Sequence, residues 1–242
     1  MPPVLVLRHD ADAGAGYLGA ALRRAGLARG VGDVAAGEDL PEGSGWAGVV
    51  SLGGSMGAFE EDRYPWLVAE KRLLARAAGM GTATLGICLG CQLLADALGG
   101  RAYPGAGREL GSVRPVLTPE GRADPVLRHL DGPVPVSHAD TWDLPPGAVL
   151  LAVTDRYPQA FRLGSALGLQ PHPEVTPTAF ARWVREKPRE DLLRDGIDPE
   201  AAVAGVRAGA AAQRALAGRL FAAWAAEAGG SASDAGSVRS AR

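Results

Sequence analysis

The sequence predicts an α/β fold, an open and mostly parallel sheet with helices on both faces, followed by a C-terminal helical extension. Apolar runs of strand length at 4–7, 46–52 and 82–87 alternate with segments of helical period, as in a parallel sheet joined by crossover helices. The run at 46–52, W-A-G-V-V-S-L, is almost continuously apolar, as a central strand covered on both faces must be. Loops leaving the carboxyl ends of such strands converge on one crevice, so 53–57 and Cys88 are expected side by side.

In chain order, 4–7 is a strand, 9–14 a polar loop, and 17–25 a helix with Leu18 and Leu22 on one face, ended by Gly26. The Gly-, Asp- and Glu-rich stretch 31–45 leads to strand 46–52, which stops at Gly53 and Gly54. Pro65 opens a helix to about Ala78, with Leu67, Leu74 and Ala78 inward and Glu70, Lys71, Arg72 and Arg76 mostly solvated. Strand 82–87 then turns directly into a helix over 89–98, stopped by Gly99 and Gly100. Beyond it, short strands at 113–117, 134–136, 149–154, 159–163 and 166–169 read as the second half of the sheet plus an antiparallel edge. Thr176 and Pro177 cap and start a helix to about Lys187. From 198 to about 226 the chain is Ala-rich, with an apolar stripe that includes Leu216, Leu220, Phe221 and Trp224, and packs as one or two helices on the domain or on a partner. The expected division is a domain over 1–190, a helical extension over 191–228 and a disordered tail over 229–242.

The chemistry sits at G-I-C-L-G, residues 86–90, a strand-turn-helix elbow whose small flanking residues push the Cys88 side chain out of the sheet. A helix N-terminus carries unpaired N–H groups and partial positive charge, which favours thiolate over thiol. The Leu89 N–H points where an oxyanion would form, and one such donor is typically worth ~100- to 1000-fold in rate. On this stretch alone three readings of Cys88 stand: nucleophile, small buried core residue, or a C-x-x-C redox pair with Cys91. Farther on, Q-P-H-P-E at 170–174 places His172 and Glu174 two apart on one side of an extended segment stiffened by prolines. A histidine beside a carboxylate is the base and orienter that a cysteine nucleophile requires.

Composition narrows the function classes. With 242 residues and 47% hydrophobic content the chain buries a substantial core, and a net charge of −2 gives no footprint for nucleic acid. Two cysteines three residues apart argue against a disulfide scaffold and fit a reducing cytoplasm. The N-terminus has no basic leader pattern, and no apolar run reaches membrane-spanning length, so neither a signal peptide nor a membrane span is expected. The four histidines lack metal-ligand spacing, and neither metal nor cofactor is expected. His9 and His129 read as surface or loop residues, His138 as a residue of loop geometry, and Trp46 and Trp142 as packing.

Four blocks in order, G-G-S-M-G at 53–57, G-I-C-L-G-C-Q at 86–92, S-H-A-D at 137–140 and Q-P-H-P-E at 170–174, resemble the signatures of the class I (triad) glutamine amidotransferases. E-D-R-Y-P-W-L-V-A-E-K at 61–71 resembles in particular the stand-alone members similar to the amidotransferase domain of GMP synthase. The resemblance covers about residues 4–185 and implies a flavodoxin-like sheet. It implies Cys88 as nucleophile, His172 as general base and then acid, and Glu174 as orienter of the imidazole. It further implies an oxyanion hole from the N–H groups of Gly54 and Leu89, and substrate contacts from Gln92, Ser137, His138 and Ala139. The implied reaction is hydrolysis of the glutamine side-chain amide through a glutamyl thioester, with ammonia passing to a separate synthase subunit. A free-standing hydrolase of other γ-glutamyl compounds, and a non-catalytic protein of the same fold, are the alternatives. Three positions depart from the family pattern: Ser55 stands for a proline, Ala139 for a glycine and Pro171 for a phenylalanine. Without the stiffening proline the 53–57 loop is expected to rest out of place until a partner docks, and Ser55→Pro is expected to raise turnover if the backbone accepts it.

Overall fold

The computed structural model describes residues 2–10, 13–34, 40 and 45–239, with side chains described as far as Gly230. Its central sheet contains β1 (Val4–Arg8), β2 (Arg29–Asp33), β3 (Gly48–Ser51), β4 (Ala83–Ile87), β6 (Val116–Leu117), β8 (Val149–Val153), β9 (Pro158–Leu163) and β10 (Ala166–Leu169). These lie in the order β2-β1-β3-β4-β10-β9-β8-β6. The pairs from β2 across to β10 are parallel, and those from β10 to β6 antiparallel. A mostly parallel sheet with an antiparallel edge is therefore present.

Alternate residues of β1 explain why the strands are apolar throughout. Val4 and Val6 face one layer with Leu18 and Leu22 of α1 (Gly16–Arg24), and with Leu216, Leu220, Phe221 and Trp224 of α8 (Ala210–Arg239). Leu5 and Leu7 face the other layer, with Leu67 and Leu74 of α2 (Trp66–Gly79) and Leu93 and Leu94 of α3 (Leu89–Ala97). Helices cover both faces. The stripe read on 198–226 thus packs on the sheet itself, where Trp224 lies against Gly48 of β3.

Several elements differ from the sequence reading. β2 falls where 31–45 read as a connecting stretch: Gly30 and Gly32 remove side-chain signal from an edge strand that is only half-buried. The run at 134–136 does not join the sheet. It begins β7 (Val134–Asp143), which pairs antiparallel with β5 (Arg101–Val113) in a separate two-stranded ribbon. Pro104, Gly105 and Gly107 mask β5 in the sequence, and the register shifts between Pro104 and Glu109. The segment 113–117 is divided, Val113 ending β5 and Val116–Leu117 forming the sheet edge ahead of the short helix α4 (Pro119–Ala123).

Thr176 caps α5 (Pro177–Glu186), accepting from the Ala179 N–H, with proline in the first turn. After α6 (Arg189–Arg194), Asp198 caps α7 (Pro199–Ala208) in the same way, and Val206 packs with Phe180 and Val184 of α5. The backbone of α8 is helical through Arg239, where a disordered tail was expected from 229, and 240–242 lie outside the described residues. Among the described residues no helix is long and apolar enough to cross a membrane. No group of three His, Cys, Asp or Glu side chains among them could hold a metal ion.

Candidate active site

The elbow forms because small residues let strand and helix meet. A side chain at Gly90 would fall on the Ser51 carbonyl at the end of β3, while the Gly90 N–H donates to Leu52 O at 3.1 Å. Cys88 sits between β4 and α3 with φ 52° and ψ −107°, the one non-glycine residue with positive φ among those described. A β-carbon in that conformation carries about 1–3 kcal/mol of strain. Cys88 is only 6% exposed, yet it lines two adjoining clefts.

Both His172 and Glu174 follow β10 and are buried beside the thiol. His172 Nδ1 and Glu174 Oε1 are 2.8 Å apart, which leaves Nε2 free to serve Cys88, whose Sγ donates to Ser137 O at 3.9 Å. Burial pulls the imidazole toward its neutral form, but the charges of Glu174 and Cys88 and hydrogen bonds to both outweigh it and raise its pKa to about 10. Trp183 of α5 packs edge-on against the ring at 5.0 Å. The block is braced from two sides: Tyr17 N–H donates to the Glu174 carbonyl at 2.9 Å, and Gln213 Nε2 of α8 donates to the Val175 carbonyl at 2.7 Å.

Across the thiol lies 53–57. Among the described residues neither the Gly54 N–H nor the Leu89 N–H has a hydrogen-bond acceptor. A β-carbon at Gly54 would come within 2.7 Å of both His9 Cβ and Leu89 Cδ2, so only glycine fits this close approach. His9, expected at the surface, is fully buried, with Nδ1 at 3.2 Å from Gly53 O and Nε2 at 2.9 Å from Glu70 Oε2. Glu70, expected in solvent, is equally buried and also accepts from Ser51 Oγ at 2.7 Å. Helical periodicity put Glu70 on the solvated face and could not show that the histidine following β1 reaches it.

On the other side of Cys88 a cleft of about 190 Å³ is lined by Leu89, Gln92, Arg108, Ser137, Asp140 and Lys187, among others. Gln92 Nε2 donates to Asp140 O and to Gln170 Oε1, both at 3.3 Å, tying α3 to β7 and β10. His138 and Ala139 line this cleft too, but His138 is committed to the ribbon: Nδ1 meets Asp140 O at 2.9 Å and Nε2 meets Glu109 Oε2 at 3.1 Å. Cys91, by contrast, is fully buried and unbonded to Cys88, and burial pushes its thiol well up.

A family model described as glutamine amidotransferase class-I matches residues 48–187, more than half of the chain. The chain belongs to the class I glutamine amidotransferases. The GMP synthase (glutamine-hydrolyzing) of Thermomicrobium roseum is 37% identical over 137 residues, covering 54% of this chain and 24% of that protein. The glutamine amidotransferase-like protein YfeJ of Salmonella typhimurium is 31% identical over 126 residues, covering 50% of this chain and 53% of its own length. The chain therefore spans about a quarter of the GMP synthases it matches and half of YfeJ. A glutamine amidotransferase structure from Thermotoga maritima superposes with TM-score 0.82 at 30% identity, covering 93% of this chain and 98% of that one. One from Methylobacillus flagellatus gives TM-score 0.83 at 26% identity, with 94% and 95% covered.

In this amidotransferase the departure at Ser55 has a structural answer. The Ser55 N–H donates to Asp10 Oδ2 at 2.8 Å and its hydroxyl to Asp10 Oδ1 at 3.2 Å, so Asp10 fastens the loop that a proline was expected to stiffen. A proline at 55 would delete that N–H. Ser55→Pro is therefore expected to lower turnover by about 10- to 100-fold, the scale of one lost charge-assisted hydrogen bond. Steady-state kcat on L-glutamine for the variant and the parent chain checks this; a gain would restore the expectation drawn from the sequence.

Proposed function

We propose that the chain hydrolyses the side-chain amide of glutamine through a thioester at Cys88, releasing ammonia for a separate acceptor enzyme. The observation that supports this most is the convergence, where two adjoining clefts meet, of a strained cysteine, a His172–Glu174 pair and two N–H groups without acceptors among the described residues. The Cys88 thiolate adds to the amide carbon, and the N–H groups of Gly54 and Leu89 take the charge that gathers on oxygen. His172 passes its proton to the amide nitrogen, the C–N bond breaks and ammonia leaves. His172 then takes a proton from water, hydroxide adds to the thioester, the C–S bond breaks and glutamate is released.

The acyl side of the site carries Lys187, Asp140 and Arg108, the last paired with Asp195 at 3.0 Å. Burial, and then the repulsion of Arg108, holds the Lys187 ammonium below its usual range, and among the described residues it has no hydrogen-bond or ion-pair partner. In this reading it receives the α-carboxylate of the γ-glutamyl group. Catalysis at a free thiol fits a reducing compartment such as the cytoplasm.

A second reading has its own support. The cleft on the His172 side holds about 240 Å³ and is walled by Asp10, Ala13, Trp183 and Glu186. The leaving group departs on the side of its proton donor, and ammonia needs far less room. Hydrolysis of γ-glutamyl amides of larger amines would use it. Both readings are tested by kcat/KM for L-glutamine against γ-glutamyl p-nitroanilide and γ-glutamyl alkylamides, with and without a candidate synthase. Higher values for the substituted amides favour the hydrolase, and a rise in glutamine turnover only with the synthase favours the amidotransferase subunit. No turnover of any of them would sink both.

A further inference from the structure

We infer that a buried His9–Glu70–Ser51 relay is the positioning device of the oxyanion hole, holding the Gly53–Gly54 peptide so that the Gly54 N–H faces the nucleophile. The inference rests on the proposed thioester chemistry. None of the three residues touches the reacting atoms; they act through the loop.

The argument starts from hydrogen-bond valence. His9 Nδ1 lies 3.2 Å from the Gly53 carbonyl, and Nε2 lies 3.0 and 2.9 Å from the two oxygens of Glu70. A carbonyl and an ionised carboxylate only accept, so with Glu70 ionised both ring nitrogens donate and the ring is an imidazolium. Burial alone would discharge it, but the Glu70 charge and hydrogen bond, the Gly53 carbonyl and Asp10 outweigh burial and shift His9 upward. Ser51 Oγ donates to Glu70 Oε1 at 2.7 Å, and Trp66 stacks on the imidazole at 5.6 Å and 18°. The ring is fully buried among these contacts.

Its hold on the loop is directional. In a planar trans peptide the C=O and N–H point in opposite directions, so fixing Gly53 O toward His9 aims the Gly54 N–H away from it. That N–H has no acceptor among the described residues, and Gly54 packs between His9 and Leu89, whose own N–H is also unpaired. A cation on the carbonyl polarises the peptide and strengthens its N–H as a donor. Asp10, next to His9 in the chain, binds the following N–H at Ser55. Consecutive residues at the end of β1 thus pin the peptides on either side of Gly54, and both glycines are free to rotate without those pins.

The test separates addition to a carbonyl from simple reactivity of the thiol. His9→Phe, which keeps the stacking volume, is expected to lower kcat on L-glutamine or γ-glutamyl p-nitroanilide by ~100-fold, the worth of one oxyanion donor. KM should move by less than ~3-fold and alkylation of Cys88 by iodoacetamide, which builds no oxyanion, by less than ~2-fold, because a transition-state interaction alone is lost. Glu70→Gln keeps a neutral ring bonded to Gly53 and should lose ~10-fold in kcat, the lesser part of that donor's worth. It also serves if His9→Phe fails to fold, with circular dichroism and the melting temperature reporting the fold of each variant. Unchanged kcat in a folded variant, or equal loss of turnover and alkylation, would overturn the inference. If the unaltered chain fails to react at Cys88 with a γ-glutamyl diazoketone, the thioester reading itself fails and the relay falls with it. Labelling of the unaltered chain with no dependence on His9 or Glu70 sinks the relay alone.

Discussion

Cys88→Ala is expected to abolish amide hydrolysis, by a factor on the order of 10⁵ or more, because removing the nucleophile of a triad stops the covalent route altogether. The fold should survive, since the change deletes one sulfur atom from a residue at the edge of the core. The backbone supplies a sharper control. Cys88 and an alanine in its place both carry a β-carbon at φ 52°, so Cys88→Ala keeps the strain, whereas Cys88→Gly releases it. Cys88→Gly should therefore be more stable than Cys88→Ala by about 1 kcal/mol, visible in urea denaturation. A γ-glutamyl diazoketone should label Cys88 in the parent chain and spare Cys91, which is wholly enclosed against Gly168. Labelling mainly at Cys91, or an active alanine variant, would overturn the assignment.

The reach of the sequence follows from how each feature encodes itself. The parallel core of the sheet was legible because central strands are short apolar runs bounded by glycine, as at Gly48–Ser51 and Ala83–Ile87. So was the elbow, since a cysteine between glycines at a strand-to-helix junction needs only local information. His172 and Glu174 were legible for the same reason, being two residues apart. The oxyanion support was not. His9, Ser51 and Glu70 lie on different elements, and a lone histidine after a strand or a glutamate on a helix gives no periodic signal that the two meet in the interior. Nor was the ribbon of β5 and β7 legible, because glycine and proline in β5 speak against a strand while pairing with β7 across the chain makes one. Gln213 shows the same limit at greater range, bracing the His172–Glu174 segment from a helix that the sequence assigned to an extension.

Glu174→Gln should cost about 10³- to 10⁴-fold in kcat, the scale observed when the acidic member of a nucleophile–histidine–acid triad is made neutral. The geometry gives the change a pH signature. Burial lowers the affinity of His172 for its proton, and the Glu174 charge is the largest influence opposing it. No other hydrogen-bond donor among the described residues reaches the carboxylate, whose Oε2 is buried without a partner, so the charge is directed at the imidazole. With that charge present, His172 stays protonated as far as its pKa of about 10. The folded-state value lies above the unfolded one, so the stabilisation from this pair is complete below about pH 6.5 and is lost as pH rises through 10. In Glu174→Gln burial goes unopposed by the carboxylate, and His172 should give up its proton at much lower pH. The alkaline limb of kcat/KM on L-glutamine should move down accordingly, and the His172 ring resonances in NMR should titrate at a correspondingly lower pH. If the variant loses activity with an unshifted alkaline limb and unshifted resonances, Glu174 only orients the ring and does not hold its charge.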